Sequence, residues 1–76
     1  MTPYENLANA IVLRAVEDYR DALTVLEHDP RSRESLSEKA SIERFFRSGW
    51  YGTLTDLDGE YLMTGVRRMV RMEVAA

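Results

Sequence analysis

Apolar and polar positions follow a helical period along most of this chain. Between Tyr4 and Glu27, apolar residues recur at Tyr4, Ala8, Ile11, Ala15, Tyr19, Ala22 and Leu26, in steps of four and three. Leu7, Val12, Val16 and Leu23 widen that stripe, while Asn6, Glu17, Arg20, Asp21 and Thr24 gather opposite it. The segment contains neither Pro nor Gly. The spacing therefore predicts an amphipathic helix of about six turns, about 35 Å long. Thr2 suits its N-cap, Pro3 its first turn, and Glu5 has the spacing of a capping box. Pro30 disfavours helix at Asp29, so the helix should stop near His28, whose ring suits the negative end of the macrodipole. The alanines on the stripe imply close approach by a neighbour. Leu13 falls among polar residues, either as an ordinary exposed leucine or as a contact with another chain.

Asp29-Pro30-Arg31-Ser32-Arg33 reads as a short connection to an antiparallel second helix. Ser32 or Ser35 can cap that helix, and it should run to about Ser48. Leu36 and Ala40 lie on one side of it and Ile42, Phe45 and Phe46 on another, as in a helix packed between elements or lending a side to a partner. Gly49 fits a left-handed helix terminus. A third helix is predicted from Asp56 to about Glu73, capped by Thr53 or Thr55. Leu62, Val66, Met69 and Glu73 mark its inner side, and Gly65 offers close packing against the first helix. Arg67, Arg68 and Arg71 fall together on its outer side. The fold class is all-α: a small three-helix bundle in a single domain, residues 1–76, with a long first helix and two shorter ones.

Composition narrows the picture. A chain of 76 residues builds only a thin core. With no Cys and a single His, it has neither a disulfide nor the ligands of a thiolate or His-based metal site. The remaining ways to steady it are regular helix packing or a second subunit, so a homodimer is expected. The formal net charge of −3 opposes nonspecific nucleic-acid binding, and the acids crowd the first helix. The N-terminus lacks the basic and apolar regions of a secretory signal, and no apolar run approaches membrane-span length, so a soluble cytoplasmic protein is expected.

Catalytic patterns are missing. An EF-hand loop starting at Asp56 needs a bidentate Glu where the chain has Arg67. Asp56-Leu57-Asp58-Gly59 instead reads as helix-start carboxylates. The serines have one histidine between them and no strand–turn–helix elbow. No enzyme activity, cofactor or metal is expected. Arg44, Phe45, Phe46, Arg47, Trp50 and Tyr51 lie within eight residues. Phe46 and one of Trp50 and Tyr51 should be buried. The exposed remainder belongs to the residue types that dominate protein interfaces. The candidate contact set is Arg44, Phe45, Arg47, Trp50 and Tyr51, followed by Arg67, Arg68 and Arg71. Three uses compete for it: binding a protein, stacking a nucleotide against an aromatic face with Arg on the phosphate, and contacting DNA through the Arg67 cluster.

Ala10–Val16, Asp18–Arg20, Ile42–Ser48 and Leu54–Leu62 lie along a span that takes in most of the chain. On these segments it resembles short uncharacterised proteins of prophages and conjugative elements in Gram-positive gut bacteria. The resemblance implies context and no site residues. Small acidic proteins of such elements often inhibit a host defence system, by binding a defence protein or by sequestering a nucleotide signal. Others regulate the element itself. The expected function is thus inhibition or modulation of a host protein by contact, with a nucleotide sponge and a DNA-binding regulator as alternatives.

Overall fold

The computed structural model describes residues 2–75. They form α1 (Pro3–His28), α2 (Arg33–Phe46), α3 (Gly49–Leu54) and α4 (Gly59–Ala75), with no strand among them. The all-α expectation holds, but four helices stand where three were predicted. Thr2 caps α1 from an extended backbone, its Oγ1 accepting the Glu5 N–H at 3.1 Å. At the other end the Asp29 N–H reaches the Val25 carbonyl at 2.8 Å. The Asp29 carbonyl then accepts the Ser32 N–H at 3.1 Å, folding the connection into a tight turn. Ser32, rather than Ser35, caps α2, and α2 runs back antiparallel along α1.

The extra helix comes from Ser48. Its hydroxyl donates to the Phe45 carbonyl at 2.7 Å and accepts the Tyr51 N–H at 3.1 Å. One side chain thus closes α2 and opens α3. Gly49 is the first residue of α3 and has no positive φ, contrary to the left-handed terminus expected there. The last helix also starts later than Asp56. The Thr55 hydroxyl accepts the Leu57 N–H at 3.2 Å, holding a turn, and Asp58 supplies the helix start by accepting the Glu60 N–H at 2.9 Å.

The core is Val12 and Tyr19 from α1, Phe46 from α2, Tyr51 from α3, and Met63, Val66 and Val70 from α4. The buried line of α4 is Gly59, Met63, Val66 and Val70, not the expected line through Met69 and Glu73. Seated between α1 and α2, α4 buries the residues that point into their seam. Glu73 instead sits on the flank beside α1, 3.1 Å from Arg20. The tight glycine is Gly59, not Gly65. A Cβ on Gly59 would overlap the Phe46 carbonyl oxygen, whereas Gly65 has nothing within 4 Å of that position. The start of α4 therefore lies against the end of α2. From there α4 runs in the same direction as α1, bringing Glu73 to Arg20.

Candidate functional site

The sharp turn at Ser48 decides where the aromatic side chains go. It aims Tyr51 inward, 4% exposed, and leaves Trp50 57% exposed on the outside. A series of ring contacts joins them. Trp50 meets half-buried Phe45 edge-on at 5.5 Å, and Phe45 meets Phe46 at 5.6 Å and Tyr51 at 5.7 Å. Phe46 then meets Tyr19 at 5.9 Å. Such edge-to-face contacts stabilise each pair by about 1 kcal/mol beyond area burial, so the exposed indole has a rigid backing.

Two grooves adjoin Trp50 and share Ile11 with it. One, of about 240 Å³, lies between α1 and α2 over Ala15, Ile42 and Phe45. The other, of about 210 Å³, is lined by Tyr4, Leu7, Ala8 and Leu54 as well as Ile11 and Trp50. The second lining carries no formal charge. In the first, Arg14 and Asp18 neutralise each other at 3.3 Å. The stripe residues Tyr4 and Leu7 are exposed because α2 and α3 do not cover the first turns of α1. The sequence reading missed this part of the surface. The available signal was the length of α1, which exceeds every element able to pack on it.

The predicted contact residues do not converge. Tyr51 belongs to the core and leaves the contact set. Its hydroxyl is buried without a hydrogen-bond partner among the described residues. Burial, and after it the charge of Asp58, pushes its ionisation upward. Arg47 turns away from the grooves to Glu60, at 2.5 Å, and reaches Glu43 at 4.0 Å. Arg44 is exposed and makes no ion pair among the described residues. The Arg67 cluster breaks up: Arg68 and Arg71 are exposed, but Arg67 folds inward to the Tyr19 hydroxyl at 3.1 Å and to Glu43 at 3.5 Å. No group of arginines surrounds Trp50.

Arg67 belongs to a second constellation, absent from the sequence reading. The fully buried Tyr19 donates to Glu43 Oε2 at 2.6 Å, and the same oxygen lies 3.4 Å from Lys39 Nζ. Burial, then the hydrogen bond and charge of Glu43, push the Tyr19 phenol up to about 12. Burial works against the ionised Glu43 carboxylate, but the Tyr19 hydrogen bond and the cations Lys39 and Arg47 outweigh it and hold Glu43 below the usual carboxylate range. Its sequence signal is an acid with a cation one turn before and one turn after. The cluster links α1, α2 and α4 and leaves the Tyr19 hydroxyl saturated, so it works as a structural tie. Among the described residues no cluster of three or more His, Cys, Asp or Glu could hold a metal, and no helix is long and apolar enough to cross a membrane. Comparison with protein-family models, curated proteins and solved structures found no match.

Proposed function

We propose that this chain is a non-enzymatic binding protein of phage or mobile-element type that inhibits or modulates a host protein through the surface around Trp50. One observation carries the contact part of this reading: the chain's one tryptophan stands outside the core, braced by Phe45, between two largely apolar grooves. A large, rigid aromatic beside apolar pockets is the arrangement of an interface hot spot. The choice of a host defence protein as target rests on the resemblance to mobile-element proteins.

The test uses immobilised protein and nuclease-treated host lysate, with wild type and Trp50→Ala side by side. The expected result is one host protein retained in stoichiometric amount by the wild type and lost with Trp50→Ala, while far-UV circular dichroism stays the same. Equal retention by both proteins would sink the reading. A nucleotide in the eluate without protein would transfer it to signal sequestration, and steeply salt-sensitive DNA retention to regulation of the element.

A further inference from the structure

The flank where α1 meets α4 carries a separate apolar row. Tyr61, Gly65 and Met72 follow one another at helical spacing along α4, with Tyr61 76% and Met72 65% exposed. Across the seam, on the side of α1 fixed by the Arg20–Glu73 ion pair, Leu13 is 58% exposed. Gly65 lies in the middle of the row with open space where a Cβ would stand. A mid-helix glycine weakens a helix relative to alanine, and no contact within this chain offsets that loss. Arg68, beyond the row, and Glu17, one turn after Leu13, form no ion pair among the described residues.

We infer that this α1–α4 face is the interface of a two-fold homodimer, in which α4 lies parallel to α4 of the second copy, glycine against glycine, and Arg68 of each copy meets Glu17 of the other. Area, shape and charge select a second copy of this chain. The chain exposes 5596 Å². A folded monomer of its mass exposes about 4,800 Å², and the excess of about 800 Å² matches what each partner buries in a standard interface. The row is a helix ridge notched at Gly65, which the same ridge fits by close backbone approach. The Trp50 grooves are concave, and two grooves do not fill each other. An antiparallel alignment would put both Arg68 on one edge, about 9 Å apart along the axis and away from Glu17, so the charges favour the parallel one. Heights agree as well: at about 1.5 Å per residue, Glu17 lies about 4.5 Å before Arg20, and Arg68 about 7.5 Å before Glu73. The difference is within side-chain reach.

Sedimentation equilibrium of the full chain tests the inference. Wild type should show a mass rising with concentration to twice 8.8 kDa. Gly65→Leu places its side chain in space that is empty in the monomer, so helicity should persist while the dimer dissociation constant rises at least about tenfold. Arg68→Glu and Glu17→Arg should each weaken the dimer by about tenfold. Mixing equal amounts of those two variants should restore it, because both cross-contacts then join opposite charges. Monomeric wild type at several hundred micromolar overturns the inference, as does a dimer indifferent to Gly65→Leu or a mixture that fails to reassociate. Loss of the dimer in Trp50→Ala would overturn it by moving the interface to the grooves, and masses beyond the dimer would overturn it in favour of ridge-to-groove chains.

Discussion

At the Tyr19 junction, α1, α2 and α4 meet through a hydroxyl, a carboxylate and a guanidinium. At the Trp50 corner, α2 and α3 meet through rings. The usual partition of side chains is reversed between them. Charged groups close the inside of one junction, while the largest aromatic of the other stays in solvent. Rings tolerate small slides, but a hydroxyl with one donor and one acceptor site fixes both partners in direction. A thin-cored chain can thus set the relative positions of three helices with a directional network and leave an indole free for contact.

Substitutions should separate the two junctions. A chain of this length has a total stability of about 4–11 kcal/mol. Phe46→Ala, which removes the ring joining the two junctions, should destabilise by about 3–5 kcal/mol, measured by urea denaturation. If it costs less than Trp50→Ala, the corner's core has been misplaced. Glu43→Ala leaves the Tyr19 O–H without its acceptor and removes the ion-pair partner of Lys39 and Arg67, and about 2–3 kcal/mol should be lost.

Alkaline pH should attack the Tyr19 junction. The folded phenol is pushed up to about 12, above its ordinary 10.0, so its contribution is complete below pH 10 and is lost as pH rises towards 12. Melting temperature should fall across that window in wild type and fall less in Tyr19→Phe; parallel curves would remove the phenol as the cause.

At neutral pH the two buried tyrosines should respond with opposite signs. Tyr19→Phe should lose about 1 kcal/mol, whereas Tyr51→Phe, which discards an unpartnered hydroxyl, should gain about 1 kcal/mol. Denaturation midpoints that move the same way would contradict the contrast. Trp50→Ala gives up a single ring contact, with Phe45, and should cost about 1 kcal/mol, with partner retention abolished.

Local chemistry was legible where one residue sufficed to encode it. Thr2, Pro3 and Glu5 announced the start of α1, and Pro30 announced its end. Ser48 was ambiguous because Ser-Gly suits a helix end as well as a new beginning; the deciding bond, to the Tyr51 N–H, exists only once the chain has turned. The rotation of α4 was hidden for a related reason. Val66 belongs both to the expected line and to the real one, and only the seam between α1 and α2 selects Met63 and Val70 over Met69. Of the site, the exposed Trp50 and supporting Phe45 lay within the expected cluster, but Arg47 and Arg67 were claimed by Glu60 and Glu43, partners distant in sequence. The grooves depend on what α2 and α3 fail to cover, a property of the assembled helices rather than of any segment.

Because the chain's sole indole is Trp50, its ultraviolet emission comes from the surface and not from the packed interior. The folded protein should already emit near the wavelength of water-exposed tryptophan, so denaturation will shift the spectrum little. Covering the grooves will move it to the blue and shield it from iodide quenching. A single cuvette can then count occupied molecules without any attached dye.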